Sequence, residues 1–141
     1  MDAIVVGTDG SPGAEAAVQK VIELARGSAA TIHLVCAYPG KSAMERIGMT
    51  ARQEPVDLRG VAADLLARDE RRFEEAGFAV EKYVREGDPA QTIIDVAGEN
   101  DANLIVIGAH GNTGLRRFML GGVAGKLAHH APRSLLIVRE D

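Results

Sequence analysis

The residues best suited to chemistry lie near the C-terminal end of the chain, where Gly108-Ala109-His110-Gly111 is followed, after nine further residues, by Gly121-Gly122-Val123. Glycines let backbone amides approach an anion closely, and a helix starting at the end of such a loop adds its unpaired N–H groups and the positive end of its dipole. That combination cradles phosphate. The alternative is that the glycines only shape a turn between a strand and a helix. Position weighs against it, because ligands of open parallel sheets bind beyond the strand C-termini, and this loop leaves a strongly apolar strand of the central type. Arg116 and Arg117 lie within the same loop, but an adjacent exposed pair more often stays solvated and is not assigned a role.

Other chemistries find less support. His129 and His130 are neighbours on a helix, about 100° apart, so they do not converge on a metal as an i, i+4 pair does. His33 and His110 are distant in sequence. The chain has no Gly-x-Ser-x-Gly elbow, no Gly-x-x-x-x-Gly-Lys-Ser/Thr loop and no evident set of nucleophile, base and orienting group, so catalytic turnover is not expected. The lone Cys36 sits in an apolar run and reads as a small buried hydrophobe. A net charge of −4 without a basic cluster argues against nucleic acid as a partner. The start, MDAIVVGTDG, has no basic leader region, and its apolar run is too short for a signal peptide or a membrane span. A cytoplasmic protein of one domain, residues 1–141, is the expectation.

Positioning such a loop requires a sheet. Runs rich in β-branched or aliphatic residues predict strands over Ala3–Thr8, Thr31–Ala37, Val80–Arg85, Asn103–Ile107 and Ser134–Val138. Helical spacing fills the gaps between them. Ser11 and Pro12 open a helix whose stripe runs Ala14, Ala17, Val18, Val21, Ile22 and Ala25. A second stripe, Leu58, Val61, Ala62, Leu65, Leu66, Phe73 and Ala76, puts the charged residues mostly on the opposite face. Asp88, Pro89 and Gln91 give a capping-box start for a third helix, and a shorter fourth is expected from about Gly122 to His130. Strict alternation of strand and helix implies right-handed crossovers and a doubly wound α/β fold with a parallel sheet. Continuous apolar strands at Ile4–Val6 and Leu104–Ile107 belong in its middle, and the charged Val80–Arg85 at an edge. The long connection from Tyr38 to Pro55 has the length of a flap over a site.

Gly108-x-x-Gly111, the spacing to Gly121, the turn Val6-Gly7-Thr8-Asp9-Gly10-Ser11, the segment Gly87-Asp88-Pro89-Ala90 and the closing strand together resemble the universal stress protein family along the whole chain. The resemblance implies the five-stranded, adenine nucleotide alpha hydrolase-like (Rossmann-like) sheet of order 3-2-1-4-5. It also implies a nucleotide-binding, regulatory stress-response role. Carried over by position, Thr8 and Asp9 form the nucleoside-facing turn, with Asp9 an acceptor for a ribose hydroxyl or, alternatively, a turn aspartate. Ala37 is the residue whose backbone meets adenine, and Gly108, His110, Gly111, Gly121, Gly122 and Val123 form the phosphate side. The implied cofactor is ATP or another adenine nucleotide, with Mg accompanying ATP.

One departure bears on the ligand. The family's ATP-binding pattern has Ser or Thr directly after the last glycine, where this chain has Gly122. Losing one hydrogen bond to a charged group costs about 1.5–3 kcal/mol, so weaker triphosphate binding, or a preference for AMP or a cyclic nucleotide, is expected. A ligand-free interaction module and a slow ATPase stay open as alternatives. The resemblance further implies a homodimer through Leu135–Val138, and the apolar composition of that strand is an independent reason for it to be covered.

Overall fold

The computed structural model describes residues 2–40, 57–111 and 120–140. In chain order these form β1 (Ala3–Gly7), α1 (Pro12–Ala25), β2 (Thr31–Tyr38), α2 (Leu58–Glu75), β3 (Ala79–Glu86), α3 (Pro89–Glu99), β4 (Leu104–Gly108), α4 (Gly122–His130) and β5 (Ser134–Val138). The five strands are all parallel, in the order β3-β2-β1-β4-β5. The strands therefore alternate with helices as expected, and the charged β3 takes an edge. Boundaries shift by a residue or so: Thr8 falls after β1, Asn103 before β4, and β3 gains Ala79 and Glu86. Asn103 instead caps the sheet, its side-chain oxygen accepting from the amides of Asp2 and Ala3 at 2.7 and 2.9 Å.

Side chains alternate across the sheet, so each strand feeds two cores. Ile4, Val6, Ile32, Leu34 and Val106 pack under α1 and α2. Val5, Val35, Ile105 and Ile107 pack under α3 and α4. Each helix start follows from its sequence. Ser11 accepts from the Ala14 amide and Pro12 occupies the first turn of α1. Asp88 accepts from the Gln91 amide at 3.0 Å. Only half of the expected capping box forms, because the Gln91 side chain donates to Asp95 one turn on instead of closing back on the cap.

The second helical stripe needs correction. Val61, placed there by spacing, is 51% exposed, and the buried line on α2 is Ala62, Leu66, Asp69 and Phe73. The buried line passes through Ala62, and Val61 lies about 100° from it around the helix axis, beyond the edge of the face that meets the sheet. The charged residues of α2 lie mostly on its outer face as expected, with Asp69, 1% exposed, as the exception.

What brings the site together is a close contact between bare backbones. A methyl group built on Gly108 would sit 2.6 Å from the carbonyl of Gly13, and one on Gly13 would strike the His110 carbonyl oxygen. The first turn of α1 thus lies directly on the end of β4. The Ala109 amide donates to Val138, and the Ala109 carbonyl accepts from Gly121 at 2.7 Å, which stitches the start of α4 to the same place. Residues 41–56, with most of the expected flap, and residues 112–119, with Arg116 and Arg117, lie outside the described residues.

This packing makes glycine positions distinguishable. Gly108→Ala is expected to cost about 1–3 kcal/mol, because backbone must move to admit the methyl. At Gly122 an added methyl meets nothing within 4 Å among the described residues. Gly122→Ala is accordingly expected to be neutral or to stabilise by about 0.4–1 kcal/mol. Urea unfolding of the two variants checks the contrast.

Candidate functional site

β1 and β4 are neighbours whose following helices lie on opposite faces of the sheet, α1 on one and α4 on the other. A crevice opens beyond their C-terminal ends for that reason. It holds a cavity of about 300 Å³. Every residue singled out in the sequence lines it: Thr8, Asp9, Ala37, Gly108, His110, Gly111, Gly121, Gly122 and Val123. The structure therefore gathers them from the turn after β1, the end of β2, the loop after β4 and the first turn of α4.

The turn after β1 is tightly specified. The Thr8 amide donates to Val35 at 2.9 Å. Its hydroxyl donates to Asp69 at 2.9 Å and accepts from Gly10, so the side chain is spent inside the protein. Gly10 takes φ +77°, a conformation that favours glycine. Asp9 accepts from the Ser11 amide through Oδ1 at 2.9 Å, the Asx-turn geometry anticipated as its alternative reading. Its Oδ2 faces the loop after β4, since a methyl group on Gly111 would lie 2.5 Å from it. A side chain at 111 would therefore displace the Asp9 carboxylate from this place.

At the other end, α4 begins at Gly121 without a side-chain cap. The cap residue thus offers the first-turn amides no side chain, and Gly122, Val123 and Ala124 lie on the cavity wall. The His110 backbone is packed against Gly13, and its residue forms part of the same wall.

The apolar wall was missed in the sequence. Gly7, Val35, Ile93 and Ile107 line the cavity with Ala14 and Pro89. Val35 and Ala37 are two apart on β2 and share a face, and Ile93 reaches over from α3 against Gly7, its methyl 2.7 Å from where a Cβ would stand. The period-2 alternation of β2 and the start of α3 carry this information, but only once the strand order is known. The result is a slot with apolar sides, walled by the start of α4 and by the Gly111 loop, with the Asp9 carboxylate beside Gly111.

The local electrostatics agree with an inert framework around that slot. Burial, with the carboxylates of Asp9 and Asp69, pushes the Cys36 thiol up to about 11, so it stays protonated and unreactive at neutral pH. Elsewhere, His33 lies 2.9 Å from the Tyr83 hydroxyl on the β2–β3 side and outside the cavity, and burial lowers its pKa. Among the described residues no three His, Cys, Asp or Glu side chains group as a metal site, and no described helix is long and apolar enough to cross a membrane.

Comparison with known proteins accords with this architecture. A universal stress protein of Methanocaldococcus jannaschii is 28% identical over 145 residues, spanning 97% of this chain and 81% of that one. The universal stress protein from Archaeoglobus fulgidus in complex with dAMP superposes with a TM-score of 0.72 at 25% identity, over 98% of each chain. A universal stress protein in complex with cAMP gives 0.70 at 26% identity, over 98% of this chain and 96% of that one. The sequence pattern of the universal stress protein family matches residues 1–139, so the chain belongs to that family.

Proposed function

We propose that this chain binds an adenine nucleotide in the cavity beyond β1 and β4 and acts as a regulatory, non-catalytic stress-response protein. The observation that carries the reading is the convergence of the uncapped α4 N-terminus and the Asp9 turn on one apolar-walled slot. The amides of Gly111, Gly121, Gly122 and Val123 would hold phosphate oxygens, with Gly108 and His110 shaping that wall. Asp9 would accept from a ribose hydroxyl, Thr8 would hold the turn, and the Ala37 backbone would meet the base. Ile93, Val35 and Ile107 supply the apolar contact that a purine ring needs. Relatives bound to dAMP and cAMP support the same class of ligand. With ATP, magnesium would arrive on the triphosphate, held mainly by phosphate and water. A cytoplasmic, one-domain protein is part of the same proposal.

The proposal extends to a homodimer through β5. That strand is a sheet edge carrying Leu135, Leu136, Ile137 and Val138. Val138 turns its carbonyl to Ala109, so by alternation Ile137 directs its N–H and C=O away from β4, toward whatever pairs with the edge. Sedimentation velocity is expected to show a dimer that Ile137→Pro converts to monomer, because proline removes an edge donor and leaves the β4 ladder intact. A dimer that survives the substitution argues against this interface.

Isothermal titration with ATP, AMP and cyclic AMP tests the ligand. Binding of AMP is expected, with ATP bound about tenfold or more tightly by Gly122→Ser, whose hydroxyl restores one bond to a charged oxygen. Silence from all three nucleotides would favour an interaction module that keeps the fold without the ligand. Phosphate release that disappears in Asp9→Ala would instead mark a slow ATPase.

A further inference from the structure

The buried stripe of α2 is apolar apart from Asp69, which is 1% exposed. A carboxylate in that place is costly to the fold, and the cost is incompletely offset. Its Oδ2 accepts from the Thr8 hydroxyl at 2.9 Å, and its Oδ1 has no hydrogen-bond partner, the nearest cation being the Arg68 guanidinium at 3.8 Å. Burial pushes the carboxyl upward, and the Thr8 hydroxyl is the foremost group holding it down, ahead of Arg68 and Arg72. A leucine would fill this stripe at less expense, so the carboxyl is best explained by what it holds.

What it holds is the turn of the site. Thr8, fixed by Asp69, receives the Gly10 amide. Gly10 in turn rests on Leu65, one helical turn before Asp69 on α2, where a methyl group would lie 2.6 Å from a leucine methyl. α2 thus supports the turn at two points, and the turn carries Asp9 toward Gly111. Asp69 itself is absent from the cavity wall.

We propose that Asp69 is a positioning residue for the nucleotide site, orienting Asp9 through the Thr8 hydroxyl without touching the ligand. The proposal rests on the adenine-nucleotide reading given above. It makes affinity depend on a hydrogen bond made beneath the turn by a different helix. Charge is not what the positioning requires, because an amide oxygen also accepts from a hydroxyl, though less strongly than a carboxylate does.

Two substitutions separate positioning from mere packing. Asp69→Asn keeps an acceptor for Thr8, and Asp69→Leu fills the stripe and removes the acceptor. AMP titration is read beside thermal unfolding and the amide chemical shifts of Asp9, Gly10 and Ser11 in the ligand-free protein. Asp69→Leu is expected to unfold no earlier than the parent, to shift all three turn amides and to lose AMP affinity by about tenfold or more. Asp69→Asn is expected to stay within about threefold of the parent affinity, with the turn amides in place. Parent-like affinity and turn shifts in Asp69→Leu would overturn the proposal, as would equal losses in both variants. Should the parent protein bind none of ATP, AMP and cyclic AMP, the nucleotide reading fails on its own, and the turn amides of the two ligand-free variants still decide whether Asp69 orients the turn.

Discussion

The close approach of α1 to the end of β4 is the constraint on which the site depends. Strand pairing places β1 beside β4, but pairing alone leaves their following segments free to diverge. The contact of Gly13 with Gly108 and with the His110 carbonyl removes that freedom, because neither position has space for a side chain. Once it is made, Asp9 on one loop and Gly111 on the other are neighbours, and the Ala109–Gly121 bond brings in the start of α4. The cavity lies where these backbones meet, and the side chains of Val35, Ile93 and Ile107 complete its wall.

Around that frame, the fold tolerates two features that stability alone would not select. Asp69 is a carboxyl inside an apolar stripe with one oxygen lacking a hydrogen bond, and the cap position of α4 is a glycine. The first represents a local cost of about a kcal/mol or more, the second only a few tenths. One lies beneath the turn that carries Asp9, and the other faces the proposed phosphate end. Such local violations of good folding practice are expected at functional positions.

Much of the architecture was legible in the residues, and what was not has a physical reason. The continuous apolar runs Ile4–Val6 and Leu104–Ile107 marked central strands, and the charges in Val80–Arg85 marked an edge, since burial on both faces leaves a different pattern from burial on one. The residues singled out by spacing and resemblance all reach one cavity. Asp69 was hidden, because on a charge-rich helix a single buried carboxylate looks like any solvated one until the helix phase is fixed to the residue. The same error of phase assigned Val61 to the core. Gly13 and the wall residues Gly7, Val35 and Ile93 depend on contacts between elements far apart in the chain, which local periodicity does not record.

The central claim is that the slot between β1 and β4 receives an adenine nucleotide. Titration of AMP into ¹⁵N-labelled protein tests it residue by residue. The account predicts saturable shifts of the Asp9, Gly111, Gly122, Val123 and Ala124 amides, with the Leu135–Ile137 edge of β5 unmoved. No shifts at saturating nucleotide, or shifts confined to β5 or to the outer faces of the helices, would contradict it.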